Sequence, residues 1–267
     1  MYVEQILPPH NLRKFIRFFW VIEYNSMVDN DHVFKVFARR YPRIVFQHNN
    51  GNSGIYNGKD FLPLAYFSGL NIMPYECGIQ PSISITGVSF YPYAIKQLFG
   101  IDAYELLNEL PEVNFLLPKS FTEKMIDTKE KNKRIQLLID YFNDKVDQIK
   151  KYDAFNEIVW ETFQNEIKES NVHSFLKKFK ISERQLERRF KNNIGLTPNQ
   201  FLRINRFEKS IQLIKESNVL SDIVFKLNYS DQSHFCRDFK EFSQFTPTQF
   251  MKLNVLLEEN SSVILKK

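Results

Sequence analysis

Two stretches of the sequence repeat one another and decide the fold: SERQLERRFKNNIGLTPNQFL over residues 182–202 and DQSHFCRDFKEFSQFTPTQFM over residues 231–251. The second follows the first at a constant offset of 49 positions, and seven of the 21 aligned pairs are identical. Each stretch spaces two apolar residues four positions apart, Leu186 with Phe190 and Phe235 with Phe239, so each pair shares one face of a helix. Such an internal repeat predicts two copies of one structural unit.

Local signals predict where the helices of each unit begin. Ser182 and Asp231 are good N-caps, and Ser182 with Gln185 fits a capping box. Thr-Pro pairs then start a further helix, because proline is favoured in a first helical turn. Asn228 suits a left-handed turn position. The order helix, short turn, helix is typical of a helix-turn-helix. Its other predicted parts are first helices over Val172–Phe179 and Leu220–Leu227, and restart points at Thr197-Pro198 and Thr246-Pro247.

The helix face opposite each apolar pair carries polar and basic side chains. Arginine can bond guanine bidentately and lysine can reach phosphate, so such a face suits a major groove. For any single arginine, a solvated surface charge is the alternative interpretation. The recurrence of Arg and Lys at matching positions favours DNA contact. The candidate residues are Arg184, Glu187, Arg188 and Lys191 in the first copy, and Ser233, Cys236, Arg237 and Lys240, with His234 at the edge, in the second.

The basic charge is concentrated in the same third of the chain. Of 36 Lys/Arg and 31 Asp/Glu, residues 170–253 hold 15 and 8, a net charge of +7, whereas the remainder carries −2. A basic domain beside a near-neutral one indicates a polyanionic partner for the basic domain. A lysine-rich solvated surface is the alternative interpretation of the charge alone.

At these residues the sequence resembles the AraC/XylS family of bacterial transcription regulators. Residues 181–190 resemble the first recognition helix, residues 201–214 the connecting helix, and residues 229–240 with Thr246-Pro247 the second unit. The resemblance covers about 80–85 residues. It implies two helix-turn-helix units joined by a long helix, double-stranded DNA as a partner, and RNA polymerase as a partner of an activator. It places base contacts at Arg184, Arg188, Gln232, Ser233, His234 and Arg237.

Residues 1–118 predict a separate domain of mixed α/β or β-barrel-like architecture, which makes the whole chain α+β. Residues 43–46 and 82–86 read as strands, and Asn57-Gly58 predicts a hairpin turn. Short helices are expected from about Asn11 and from about Pro92. A looser resemblance to the N-terminal domain of one regulator subgroup implies a sensor with no known ligand.

Apolar residues at helical spacing form two amphipathic stripes in residues 119–169 and predict a helical linker there. Both stripes can pack on their own chain, or the first can form the contact of a homodimer. The stripes are Ile135, Leu138, Ile139, Phe142, Val146 and Ile149, then Phe155, Ile158, Val159, Phe163 and Ile167. The DNA-binding domain is predicted over residues 170–253, and residues 254–267 form a C-terminal tail.

Several classes of protein are disfavoured by what the sequence lacks. His10, His32 and His48 form no HxH pair, so neither a metal site nor another cofactor is expected. Cys77 and Cys236 form no CxxC, and no Cys-His or Ser-His-Asp pattern indicates an enzyme. No stretch approaches the roughly 18 apolar residues of a membrane helix. A soluble, cytoplasmic protein without a membrane partner is therefore expected.

These patterns together predict a sequence-specific DNA-binding transcription regulator. Its N-terminal domain is expected to respond to an unidentified small-molecule or protein effector. The alternative is a helical-repeat protein that uses the repeat for protein contacts without specific DNA binding.

Overall fold

The structure is a computed structural model of the chain. It describes residues 2–25, 32–150, 152–153, 156–158, 160–161, 176–177, 179–216, 219–253, 257–258 and 262–265. The predicted first helix of the first unit, Val172–Phe179, and most of the second linker stripe lie outside these residues.

The N-terminal domain contains an antiparallel five-stranded sheet, called sheet 1. Its central strand β9 pairs with β2 on one side and β4 on the other, while β1 and β7 form the edges. The strands predicted at residues 43–46 and 82–86 are confirmed as β4 and β9. In spatial order the strands are β1 (Tyr2–Ile6), β2 (Ile16–Asn25), β9 (Ser82–Phe90), β4 (Arg43–His48) and β7 (Ala65–Ser68).

Sheet 2 has six strands, and two of them come from the C-terminal tail. The tail strand β11 pairs antiparallel with β3 of the N-terminal domain. The hairpin predicted at Asn57-Gly58 is confirmed, with Tyr56 opposite Phe61. In spatial order the strands are β10 (Leu257–Glu258), β11 (Ser262–Leu265), β3 (His32–Val36), β8 (Tyr75–Ile79), β5 (Ile55–Asn57) and β6 (Asp60–Phe61).

Sheet 1 is covered on both faces, which explains the nearly continuous apolar run of β2. Successive side chains of a strand point to opposite faces. Trp20 and Ile22 accordingly belong to the apolar cluster shared with sheet 2, whereas Phe19 and Val21 belong to the cluster covered by helices.

The short helix predicted from about Asn11 is wrong. A single 3-10 turn, His10–Leu12, is followed by strand β2. Because nearly every residue from Phe15 to Tyr24 is apolar, the run contains the helical spacing as well as the strand spacing. The covered faces of sheet 1 select the strand. The helix expected near Pro92 is confirmed as α1 (Ala94–Phe99).

Two helices of the linker region pack on sheet 1. They are α2 (Lys119–Asp127) and α3 (Lys131–Asp147). Ile135, Leu138 and Phe142 of the predicted stripe are buried in the N-terminal core. The first stripe therefore packs on its own chain, which was one of its two predicted roles. A homodimer contact would need another surface. Arg134 strengthens the attachment, because its guanidinium donates to Ser84 Oγ of β9 at 3.0 Å.

The C-terminal domain is helical over its described residues. Its helices are α4 (Glu183–Ile194), α5 (Pro198–Glu216), α6 (Leu220–Lys226), α7 (Gln232–Ser243) and α8 (Pro247–Met251). Of all the helices that the structure describes, none is long and apolar enough to cross a membrane.

Candidate nucleic-acid interface

Helix α4, which is the predicted first recognition helix, begins at the predicted capping box. Ser182 Oγ accepts from the backbone N–H of Gln185 at 3.2 Å, and Gln185 Oε1 accepts from the backbone N–H of Ser182 at 2.8 Å. Leu186 and Phe190 are each 1% exposed. The opposite side of the helix therefore faces solvent. Arg184, Glu187, Arg188 and Lys191 are all exposed and line one surface groove.

Helix α7, which is the predicted second recognition helix, also has an N-cap, a buried face and an exposed polar face. Asp231 caps it by accepting from the backbone N–H of His234 at 2.8 Å, and this bond lowers the pKa of Asp231. Asn228 has the predicted left-handed conformation, with φ of 53°. Phe235 and Phe239 are fully buried. The exposed candidates are Gln232, Ser233, Arg237 and Lys240.

His234 differs from the other candidates because it is partly engaged within the domain. Its Nδ1 lies 3.2 Å from Ser230 Oγ, and its Nε2 lies 3.8 Å from Asp238 Oδ2. Its ring also packs edge-on against Tyr229. About a third of the side chain, 34%, stays exposed. Cys236 is likewise half-buried, and burial raises the pKa of its thiol.

The connecting helix α5 fixes the second recognition helix through a buried charge. Arg203 Nη2 donates to Asp238 Oδ1 at 2.8 Å and to Glu241 Oε2 at 2.6 Å. Burial opposes the charge on Arg203, but these bonds outweigh it and raise the pKa of Arg203. Asp238 is 3% exposed. This pair ties the orientation of α7 to that of α5.

Residues of the N-terminal domain complete the core of the helix-turn-helix domain. Phe37, Ala38, Leu70 and Tyr93 belong to the same buried cluster as the helix-turn-helix residues, together with Trp160. None of these residues was among those predicted from the sequence. Their local sequence has no periodic pattern that indicates a contact with a domain more than a hundred residues away.

His48 of the N-terminal domain faces the linker helix α2. His48 is partly buried and its Nδ1 lies 3.3 Å from the carbonyl oxygen of Ile126. Burial, with the charge of Arg134, lowers the pKa of His48 to about 4. In the described part of the chain, no group of three His, Cys, Asp or Glu residues could hold a metal ion.

Comparison with known proteins gives matches over both domains. A helix-turn-helix domain family model matches residues 175–253, and a domain family of unknown function (DUF6597) matches residues 4–112. The HTH-type transcriptional activator RhaS of Shigella dysenteriae is 24% identical over 227 residues, 79% of this chain and 73% of RhaS. An uncharacterized HTH-type transcriptional regulator of Haemophilus influenzae is 34% identical over 74 residues, and the match spans only 24% of that protein.

Two solved structures of ToxT from Vibrio cholerae are also similar. One is 15% identical with a TM-score of 0.44, covering 89% of this chain and 99% of ToxT. The other, bound to an unsaturated fatty acid, is 15% identical with a TM-score of 0.45, covering 87% of this chain and 94% of ToxT.

The tandem helix-turn-helix units and the matched family model define a DNA-binding transcription regulator. Its similarity to RhaS, which extends over 79% of the chain, agrees with the resemblance to the AraC/XylS regulators.

Proposed function

We propose that α4 and α7 enter successive major grooves on one face of the duplex. One observation carries this proposal: two helices of 12 residues each bury one face and expose arginine and lysine one turn apart at matching positions. These are Arg188 with Lys191, and Arg237 with Lys240. A helix of 12 residues is about 18 Å long, which suits insertion into a major groove.

The individual side chains have different proposed roles. Arg184, Arg188 and Arg237 read base edges, with Gln232 and Ser233 beside them. Lys191 and Lys240 neutralise phosphates. Glu187 and His234 lie at the margins of the two surfaces, where Glu187 can accept from cytosine N4 and His234 is held by its internal contacts.

The test is fluorescence anisotropy with a duplex selected by the protein from a random library. We expect affinity to fall steeply with salt and to be far higher for the selected duplex than for a scrambled one. Binding that does not discriminate between the two duplexes would favour the alternative of a protein-interaction repeat.

We also propose that the N-terminal domain senses a small molecule between its two sheets. A cavity of about 60 Å³ lies there, lined by aromatic and aliphatic side chains with Arg39, Arg43 and Ser68. A single water needs about 10–15 Å³ of such space, so the cavity suits a ligand of a few heavy atoms.

The chemistry of the lining favours an anionic ligand with an apolar body. Arg39 and Arg43 line the cavity and are each 4% exposed, and Arg39 Nη2 donates to Ser68 Oγ in the same lining. Burial also raises the pKa of Cys77 to about 12, against a smaller opposite effect of Arg39, so the thiol stays neutral. Butyrate and its uncharged analogue butanol are suitable probes. We expect butyrate alone to change the emission of Trp20, and Arg43→Met to abolish the change.

Further partners follow from the same function. RNA polymerase is the proposed partner if the protein activates transcription. On DNA sites with two-fold symmetry, the proposed partner is a second copy of the chain, because binding by two linked copies would increase the overall affinity. The protein would then act in the cytoplasm. Light scattering with and without the selected duplex tests whether a dimer forms.

If no small probe binds the cavity, a protein effector becomes the alternative to a small-molecule effector.

A further inference from the structure

The two copies of the repeat differ at a pair of positions one helical turn apart. At the constant offset of 49 positions, Gln185 of α4 corresponds to His234 of α7, and Arg189 corresponds to Asp238. Gln185 has no charge at any pH and is used in the capping box of α4. A histidine, in contrast, changes its charge between about pH 5 and 8. The second copy therefore has a histidine–carboxylate pair in place of the Gln and Arg of the first copy.

The Nδ1 atom of His234 carries a proton, which follows from the hydrogen bonds of its neighbour Ser230. The Ser230 hydroxyl has a single proton and donates it to Asp231 Oδ2 at 3.1 Å. Asp231 is the stronger acceptor, because the backbone N–H of His234 and the Ser230 hydroxyl lower its pKa and keep it ionised. The oxygen of Ser230 is left to accept from His234 Nδ1, which lies 3.2 Å away. A neutral ring with its proton on Nδ1 has only a lone pair on Nε2.

The Nε2 atom of His234 faces a buried carboxylate. It lies 3.8 Å from Asp238 Oδ2, and this oxygen accepts no hydrogen bond from any residue that the structure describes. Asp238 is 3% exposed, so solvent screens its charge only weakly. A lone pair on Nε2 would face that negative charge. An N–H on Nε2 would instead be attracted to it and would form a charge-assisted hydrogen bond on a small closure of the distance.

The other charged groups around the imidazole do not satisfy this carboxylate fully. Arg203 of α5 is shared, since its Nη2 donates to Asp238 Oδ1 at 2.8 Å and to Glu241 at 2.6 Å. Arg206 of α5 lies 4.8 Å from the centre of the Tyr229 ring. Burial, and then the charge of Asp238, raise the pKa of Tyr229, so its phenol stays neutral. The remaining charged side chains of α6 and α7 are exposed: Asp222, Lys226, Arg237 and Lys240.

His234 also lies beside the surface that is proposed to bind DNA. It directly follows Gln232 and Ser233, and it precedes Arg237 by about one turn. Its side chain is 34% exposed, so DNA can reach the ring while Asp238 holds it from the inside. Side chains at the margin of a recognition helix lie next to the phosphates that border the groove. A positive ring at this margin is attracted to those phosphates.

We propose that His234 binds DNA as an imidazolium that the buried carboxylate of Asp238 orients, so that the second unit takes up a proton at this residue when it binds. Asp238 is a positioning residue, since it pairs with the ring and does not reach DNA. The first unit has Gln185 at the equivalent position and takes up no proton there. The affinity for DNA is consequently higher at low pH. The proposal rests on the DNA-binding function proposed above and adds a charge-dependent contact to it.

The test is the affinity for the selected duplex as a function of pH, measured by anisotropy at constant salt concentration. A unit charge close to a phosphate in water changes affinity about fivefold. The wild type should therefore bind about fivefold more tightly at about pH 6 than at about pH 8, the range over which histidine titrates. The dependence on salt should also be steeper at the lower pH, by a slope of up to about 0.9.

His234→Gln is the central variant, because glutamine is the residue that the first copy has at this position. It should bind nearly as well as the wild type at about pH 8 and should lose the gain in affinity at about pH 6. The matched control is His10→Gln, since His10 is an exposed histidine of the N-terminal domain. This control should keep the wild-type pH profile. The chain has five histidines, and the two variants separate His234 from the others.

Asp238→Asn tests the positioning role. The amide oxygen can still accept from Arg203, and the amide nitrogen then donates to a neutral Nε2 of His234. The folded variant should therefore lose the gain in affinity at low pH, as His234→Gln does. A purely structural role of Asp238 would weaken binding equally at both pH values, and that result would overturn the positioning role. Circular dichroism at each pH establishes that the variant is folded.

If Asp238→Asn does not fold, nuclear magnetic resonance of the wild-type complex decides the same point. At low pH the His234 ring should show an Nε2–H that exchanges slowly with water because Asp238 accepts from it. A rapidly exchanging Nε2–H would overturn the pairing.

The failure of this proposal is distinct from a failure of DNA binding. The proposal is overturned if the wild type prefers the selected duplex to a scrambled one but binds it equally well at both pH values, or if His234→Gln keeps the gain at low pH. A wild type that does not discriminate between the two duplexes would contradict the DNA-binding function itself, and this proposal with it.

Discussion

Replacement of Arg188 by alanine is the sharpest test of how the first recognition helix reads DNA. Arg188 is exposed on the face of α4 opposite Leu186 and Phe190, so the change removes no buried contact. The loss of a bidentate base contact costs about 1–3 kcal/mol, or about a 5- to 150-fold loss of affinity. We expect this loss with unchanged helicity and an unchanged thermal midpoint.

Arg189 offers a matched control on the same helix. It is the same residue type, one position away and also exposed, but a rotation of about 100° per residue takes it out of the groove that Arg188 lines. Arg189→Ala should therefore change affinity much less. Lys191→Ala should weaken binding to all sequences and reduce the salt slope by about 1.

The assay is anisotropy on the selected duplex at several salt concentrations. Two results would contradict a base contact by Arg188. The first is wild-type affinity for folded Arg188→Ala. The second is an equal loss for Arg188→Ala and Arg189→Ala, since it would reflect the charge of the helix instead of a positioned contact.

Three further changes test the packing. Leu138 is fully buried, so Leu138→Ala should lower the free energy of unfolding by about 2–5 kcal/mol at every protein concentration. The same change at its half-buried neighbour, Leu137→Ala, should cost less. A loss that depends on protein concentration would instead indicate a dimer contact. Asp238→Asn breaks the buried pair with Arg203 and should cost about 3 kcal/mol, and a urea midpoint equal to the wild type would contradict the pair's role. Burial lowers the pKa of His48 from 6.5 to about 4. Between these pH values the unfolded chain binds more protons than the folded chain, so stability should fall as the pH drops from about 6.5 to 4. His48→Gln should flatten this decline, and an equally steep decline in the variant would rule His48 out as its source.

The features of the DNA-binding units that depend on local sequence were predictable. Capping residues act on backbone groups within three positions, so Ser182, Asp231 and Thr246 marked their helix starts without any knowledge of the rest of the chain. The buried pairs Leu186/Phe190 and Phe235/Phe239 followed from helical spacing. The same spacing identified the exposed faces.

The features that depend on distant packing were not predictable. The apolar run of β2 is compatible with helix and strand, and only the layers on both sides of sheet 1 decide between them. Phe37 and Arg40 resemble ordinary residues of a loop, because their partners lie on helices that begin about 160 residues later. The pairing of the tail strand β11 with β3 was also not predictable from local sequence, because an edge strand can pair with any chain of suitable conformation.

The proposed mode of binding places two recognition helices in adjacent major grooves on one face of the duplex. Hydroxyl-radical footprinting, with methylation interference at guanine N7, tests it most directly on the selected site. We expect two protected segments about one helical turn, roughly 10 bp, apart on one face, each with guanines whose methylation blocks binding. Arg188→Ala should remove interference in one segment and Arg237→Ala in the other. A single protected segment, or interference that both variants leave unchanged, would contradict the account.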